Sequence, residues 1–191
     1  MALENEMIYV AHKALEAGLG DIRRSPKDNG ILEMIVCRPA SGERKILIEG
    51  ELDLEQGLIG DCWRTRTMLA KTEVSMDLSR QVTVMNARAL SLMARSRDRW
   101  PLAGDQLIVN FDLSDDNLKP GSRLSVGSAI IEVTDAPHNG CTKFRDRYGS
   151  EALKFVNSDL GKLLHLRGIN ARIIRPGKIK TGDRVTKTGS R

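Results

Sequence analysis

The apolar residues of this chain come in short runs, each cut after a few residues by a glycine, a proline or a polar turn. That punctuation constrains the fold more than any other feature of the sequence. DQLIVNFDLSDDNLKPGSRLSVGSAIIEVTDAP, residues 105–137, shows it most clearly. Its three runs read as strands, the first two parted by the acidic DLSDDNL and the Pro120-Gly121 turn, the last two by Gly127-Ser128. Upstream, ILEMIVCRP and RKILIE flank ASGE in the pattern of a hairpin, GLIGDCW reads as a glycine-marked loop, and QVTVM is a further strand. The segment GINARIIRPGKIKTGDRV reads as two strands around Pro176-Gly177 and Thr181-Gly182. So many short strands leave exposed edges unless the sheet closes on itself. The expected fold is mostly β with a few helices (α+β), built as a closed or partly open β-barrel.

Helical spacing marks three stretches. Ile8, Ala11, Leu15 and Leu19 share a face in MIYVAHKALEAGL, and Leu90, Met93 and Ala94 share one in ARALSLMARSR. Ala152, Phe155, Val156, Leu160, Leu163 and Leu164 form a core stripe over 151–164, which Gly161 is placed to break. The charged GDIRRSPKDNG ends the first helix. This divides the chain into a helical arm, 1–29, and one main domain, 30–191. There is no internal repeat, no G-x-G-x-x-G and no Walker loop.

At 191 residues with 29% charged, the chain describes an ordinary soluble protein. No apolar run approaches the roughly 20 residues of a membrane span. Glu4 and Glu6 stand where a secretory leader would be positive, so a cytoplasmic location without membrane contact is expected. The net charge is +5, concentrated at the end: nine Lys or Arg against the single acid Asp183 from Lys162 to Arg191. Such a tail suits a solvated basic face or a pocket for a small phosphorylated ligand. Aromatics at 4% and the lack of a helix-turn-helix, zinc-finger or RNA-binding pattern argue against nucleic acid.

Cys37, Cys62 and Cys141 are odd in number and far apart, without a CxxC pair. That excludes a disulfide framework, and three cysteines alone make neither a four-cysteine zinc site nor an iron–sulfur cluster. Cys37 reads as a strand spacer and Cys62, beside Trp63, as packed. Cys141 is different, because APHNGCTKFRDRYG surrounds it with His138, Lys143, Arg145 and Arg147. A helix starting near Thr142 would put Cys141 at its N-cap, where backbone N–H groups and nearby cations favour a thiolate; a protonated His138 would add to this. Arg147 follows Cys141 at the spacing of a cysteine phosphatase, but the intervening TKFRD is too bulky for a phosphate loop. A hydrolase built on Cys141 and His138 lacks a third, orienting residue. Sulfur carriage and ligation of a thiophilic metal remain, and spacing does not separate them. Each neighbour also has a structural reading: turn formation for Gly140 and Gly149, a loop hydrogen bond for His138, a strand end for Asp105 and Gln106, a solvated helix face for Lys143 and Arg147.

LAGDQLIVNFDLSDDNLKPGSRLSVGSAIIEVTDAPHNGCTKFRDRYG, followed by LRGINARIIRPGKIKTGDRV, resembles the MOSC domain, named after the C-terminal domain of molybdenum cofactor sulfurase. The likeness runs from about Gly30 to Val185, with GLIGDCW where the family has an early Gly-Asp loop. The resemblance implies a barrel-like fold and molybdenum-cofactor or sulfur chemistry. In relatives that reduce N-hydroxylated compounds, the residue matching Cys141 is a thiolate ligand of molybdenum; elsewhere it is proposed to carry persulfide sulfur from pyridoxal-phosphate-dependent cysteine desulfurases. By the same resemblance, Cys141 and His138 are the catalytic candidates. The cofactor would be held by Gly104, Asp105, Gln106, Asn139, Gly140, Lys143, Arg145, Arg167 and Arg172. Where amidoxime reducers have Arg-Pro-Asn this chain reads Ala103-Gly104-Asp105-Gln106, so one cationic contact must come from Arg145, Arg167 or Arg172. In place of the β-rich N-terminal domain of several reducing relatives, this sequence shows a short helical arm. Lacking a flavin motif or cluster ligands, a reductase of this kind needs an external electron-donor reductase as partner, a sulfur carrier needs a desulfurase, and either acts toward a small-molecule substrate or acceptor.

Overall fold

A computed structural model describes residues 9–70 and 77–189. In chain order its elements are α1 (His12–Ala17), α2 (Leu19–Ile22), β1 (Gly30–Cys37), β2 (Lys45–Leu47), β3 (Glu49–Asp53), β4 (Gly57–Leu58), α3 (Trp63–Ala70), β5 (Val82–Asn86), α4 (Ala87–Ala94) and β6 (Leu107–Asn110). There follow β7 (Arg123–Val126), β8 (Ala129–Val133), α5 (Thr142–Tyr148), α6 (Ser150–Asn157), α7 (Asp159–Leu163), β9 (Ile169–Arg175), β10 (Gly177–Lys180) and β11 (Arg184–Thr188). Two 3-10 segments, Leu78–Arg80 and Arg97–Ala103, lead into β5 and β6.

Seven strands close a barrel in the order β1-β11-β7-β8-β9-β5-β6, with β6 returning to β1 and β2 paired on the outside of β1. β5 and β6 run parallel and the other barrel neighbours antiparallel. Closure gives every barrel strand two partners, the condition under which such short strands hold together. Period-two alternation sorts the side chains: Val82 and Val84, Leu107 and Val109, Ile131 and Val133, Ile169 and Ala171 belong to one buried cluster that fills the barrel. Met85, Ile108 and Met34 belong to a second cluster under the helices. β1 changes phase between these faces. Leu32 packs inward and Met34 outward, because a bulge between them inserts one residue, after which Ile35 and Cys37 point inward again.

The helices cover one side of the barrel. Asn86 ends β5 and caps α4, its Oδ1 accepting from the N–H groups of Arg88 and Ala89 at 2.8 and 3.0 Å. Its amide nitrogen donates to Ser25 Oγ and the Phe111 carbonyl. Leu15 and Ile22 of the N-terminal helices join Leu90, Met93, Phe155 and Val156 in the outer cluster. β10, β3 and β4 form a separate small sheet.

The closed alternative of the expected barrel is the one observed, and the hairpin, the QVTVM strand and the ARALSLMARSR helix form where the sequence placed them. Four local readings change, the first being that GLIGDCW opens as strand β4 paired with β3 and runs into α3 at Trp63, with only residues 59–62 left as loop. The first helix is two short ones, α1 and α2, with Ala11 exposed; its Ile8 end, like Glu4 and Glu6, lies outside the described residues. The stripe over 151–164 breaks at Ser158 rather than Gly161. Ser158 turns extended (ψ 162°) and caps α7 by accepting from the Gly161 N–H, so Leu163 swings out to 56% exposure. Gly161 sits inside α7, and it is a glycine because a Cβ there would stand 2.2 Å from the Phe155 carbonyl oxygen. The final segment makes three strands, since Pro176-Gly177 sends β10 into the small sheet and Thr181-Gly182 returns β11 to the barrel.

Candidate functional site

Thr83 and Asn170 are paired across β5 and β9, and both point out of the barrel. They form the floor of a cavity of about 310 Å³. Its walls come from distant parts of the chain: Arg38 and the 40–44 loop after β1, Cys62 and Arg66 at α3, Arg80, Ala103-Gly104 before β6, His138 and Cys141 after β8, Lys143, Phe144 and Arg147 on α5, and Arg167 before β9. Six arginines and one lysine line it, and among the described residues no carboxylate does.

Cys141 is the N-cap of α5, extended at φ −124° and ψ 178°. Its carbonyl accepts the first helical hydrogen bonds, from Phe144 at 2.9 Å and Arg145 at 3.0 Å, while its thiol makes no cap bond and is exposed at the cavity. The preceding turn is held by two amides. Asn157 grips Gly140 on both sides, Oδ1 accepting from its N–H at 2.8 Å and Nδ2 donating to its carbonyl at 3.1 Å. Asn170 Nδ2 donates to the carbonyls of Ala136 and Pro137. The position of Cys141 is thereby fixed from the helix side and the barrel side together.

Behind the wall lies a buried polar relay. Arg167, 8% exposed, donates to Asp105 Oδ2 at 2.6 Å and to the Ala103 carbonyl at 3.1 Å, and stacks 5.0 Å from the Phe144 ring centroid. Asp105 Oδ1 stands 3.5 Å from His138 Nε2. Burial drives the His138 pKa down to about 4, Arg167 pushes the same way, and Asp105 opposes them only in part. The ring is therefore neutral near neutral pH, which corrects the expectation that a protonated His138 adds positive charge beside Cys141. Gly168, at φ +101°, lets the ring sit where it does: a Cβ there would lie 2.3 Å from the Val84 carbonyl oxygen and 3.3 Å from His138 Nδ1.

Arg38 anchors the opposite wall. Its Nε and Nη2 bond Asp61 Oδ2 and Oδ1 at 2.8 and 2.9 Å, and its Nη1 donates to the Gly104 carbonyl. Burial costs Arg38 protonation, but the Asp61 hydrogen bonds and charge more than offset it, and its pKa rises. Asp61 also accepts from the backbone N–H groups of Arg38 and Trp63, which ties β1 to the start of α3. Arg44 and Arg147 reach over Gly104 from the two sides; a Cβ on Gly104 would meet their guanidiniums at 3.4 and 3.7 Å. Arg44 Nε and Arg147 Nη1 donate to the carbonyls of Pro101 and Leu102. Partial burial lowers the Arg44 pKa, the charges of Arg147 and Arg38 lower it further, and Asp61 behind the wall opposes them only in part.

Of the residues expected from the resemblance, Cys141, His138, Gly104, Lys143 and Arg167 line the cavity. Asp105 and Gln106 are buried behind it. Asp105 positions Arg167 and His138, and Gln106 Oε1 accepts from the Thr83 N–H and hydroxyl. Asn139 and Gly140 are outside the lining. Arg145 turns away to pair with Asp146, and Arg172 pairs with Glu132 on another part of the barrel, so Arg167 is the one of the three compensating arginines that faces the cavity. Cys62 is half-buried and lines the same cavity as Cys141, against the expectation that it is packed away; Cys37 is buried in the barrel as expected of a strand spacer. Arg38, Arg44, Arg66, Arg80 and Arg147 were not anticipated as wall residues. For Arg147 the sequence carries no signal that separates it from Arg145, since each lies one and three residues from the buried Phe144 and Tyr148. The other four come from segments whose approach to Cys141 is purely tertiary.

The MOSC domain family model matches residues 71–186, more than half of the chain. No curated protein matches the sequence. Among solved structures, the chain is similar to the YuaD protein from Bacillus subtilis, with 18% identity and a TM-score of 0.64 over 85% of this chain and 97% of that one. It is also similar to YiiM from Escherichia coli, with 19% identity and a TM-score of 0.55 over 84% of this chain and 71% of that one. At these identities the two structures speak for the fold alone. The match over 71–186 identifies the chain as a member of the MOSC domain family, a family associated with the molybdenum cofactor.

Proposed function

We propose that the cavity binds the molybdenum cofactor, with Cys141 as the protein's ligand to the metal, and that the protein reduces N-hydroxylated compounds. One observation carries this reading: a soft, exposed thiol opens into a cavity whose charged lining is entirely cationic among the described residues. The residues fit the group. The pterin cofactor is anionic and rich in acceptors, and the wall offers donors, including a buried Arg167 Nε that has no protein partner. Among the described residues no cluster of three His, Cys, Asp or Glu could hold a bare metal ion, so the metal would arrive with its own ligands and take one more from Cys141.

When bound, the cofactor supplies two-electron redox chemistry at molybdenum, which suits reduction of an N–O bond. The chain's own part is positioning. Arg44, Arg147 and Arg167 hold the anionic end, Arg38 keeps the Gly104 segment in place, and Asn157 fixes the turn that presents Cys141. His138, neutral, keeps a proton on one ring nitrogen and an acceptor on the other beside the wall. Electrons come from an external reductase. The test is metal and pterin analysis of protein made in a cofactor-producing host. Wild type should carry molybdenum and pterin and Cys141→Ala should lose the metal; equally low molybdenum in both refutes the reading.

A second reading is favoured by the exposure of Cys141, which leaves its sulfur within reach of a protein donor. There Cys141 accepts sulfur from a cysteine desulfurase and carries it as a persulfide. Mass spectrometry of Cys141 after incubation with such an enzyme must show one added sulfur atom.

A further inference from the structure

The cationic wall and the thiol fit a smaller ligand as well. The guanidiniums of Arg44 and Arg147 converge over Gly104 and are held by backbone carbonyls alone, Arg44 by those of Pro101 and Glu43 and Arg147 by that of Leu102, so Arg44 Nη2 and the Nε and Nη2 of Arg147 are left for a ligand. Arg167, nine-tenths buried and lining the same cavity, leaves its Nε without a partner. Lys143 and the Cys141 thiol complete the mouth. A small dianion with a soft, electrophilic atom satisfies both halves: its oxygens meet the guanidiniums, and its soft atom meets sulfur.

We propose that this cavity takes sulfonate-terminated sulfane-sulfur anions, thiosulfate being the simplest, and that Cys141 accepts their sulfane sulfur. The Cys141 thiol gives its proton to water at the open mouth, and its sulfur attacks the sulfane sulfur. A new S–S bond forms on Cys141, the S–S bond of thiosulfate breaks, and sulfite leaves with that bond's electron pair. Cys141 is oxidised to the persulfide and the sulfonate sulfur is reduced to sulfite, so no further oxidant is needed. The departing sulfite gains charge on its way out, and Arg44, Arg147 and Arg167 stabilise that charge. The inference shares the Cys141 persulfide with the second reading above but draws the sulfur from a small anion, and it requires no molybdenum.

The test uses the full chain, reduced and freed of thiol, incubated with sodium thiosulfate. One sulfur atom should appear on Cys141 by intact-mass and peptide analysis, with equimolar sulfite released, and cyanide should recover it as thiocyanate; Cys141→Ser should take up none. Arg147→Gln and Arg44→Gln should each slow loading by about tenfold, the size of one lost charge-assisted hydrogen bond. Their alkylation by neutral iodoacetamide, compared at a pH where the thiol is ionised in every variant, should keep the wild-type rate, which separates anion recognition from thiol ionisation, exposure and folding. Absence of sulfur on Cys141, or equal slowing of both reactions in the arginine variants, overturns the inference. Loading by a desulfurase but not by thiosulfate overturns it while leaving the carrier reading intact. Loading by thiosulfate in a protein that binds no molybdenum supports it and removes the metal reading alone.

Discussion

His138 should make the stability of this protein depend on pH in a window where most surface groups do not titrate. The folded ring, closed in by Arg167, Asp105, Arg38 and Arg80, has its pKa lowered from 6.5 to about 4 by burial first and by Arg167 second. Between those values the unfolded chain binds a proton that the folded chain refuses, so falling pH favours unfolding. The contribution is fully present above the unfolded value, is lost as pH falls through the window, and is gone below the folded one. The ring is 14% exposed, so solvent screening discounts this little. The linkage relation gives a loss of about 2 kcal/mol between about pH 7 and about pH 5, and roughly 3 kcal/mol once the folded ring is also protonated. Urea unfolding at a series of pH values measures it, as a shift of midpoint at constant m. His138→Gln removes the titrating group while keeping a polar side chain. Its curve should be flatter than wild type by about 2 kcal/mol across the same interval, whatever its absolute stability. Parallel curves for the two would refute the placement of a neutral, enclosed His138.

Two further outcomes follow from the wall. Asp61→Asn leaves the nearly buried Arg38 guanidinium without its charge partner, with side-chain exposures of 9% and 0% for the pair, and should cost about 3–5 kcal/mol in urea unfolding; a loss below about 1 kcal/mol would mean that water reaches Arg38 freely. Gly168→Ala puts a methyl 2.3 Å from the Val84 carbonyl oxygen in a left-handed backbone and should lower stability by at least about 2 kcal/mol in the same assay. It should also displace the His138 ring, so the pH dependence described above should weaken in that variant.

The structure makes clear why some of the site could be read from sequence and some could not. The N-cap role of Cys141 was legible because a cap is decided by a few consecutive residues: an Asn-Gly turn, then a run with Phe144 and Tyr148 one turn apart. Arg145 and Arg147 stand two places apart on that helix, about 200° around its axis. The face buried by Phe144 and Tyr148 lies midway between the two and does not choose; Arg147 stands on the side where it donates to the Leu102 carbonyl at the cavity, while Arg145 pairs with Asp146. Ser158 rather than Gly161 breaks the later helices although propensity favours the glycine as the breaker: the close Phe155 carbonyl leaves no room for a Cβ at 161, and the chain turns where Ser158 can cap α7.

The alternation of apolar residues and the glycine and proline turns determined, without further help, that this chain makes many short strands of the kind a closed or partly open barrel is built from. Both signals act over a few residues, the range over which a strand's two faces and a turn's dihedral angles are fixed. Only the tertiary structure decided that the barrel closes, that Arg38, Arg44, Arg66, Arg80, Arg147 and Arg167 meet around the Cys141 and Cys62 thiols, that Asp61 and Asp105 brace the wall from behind, and that His138 loses its charge. Charge and burial act through space, and closing the barrel brings together residues that the sequence keeps far apart.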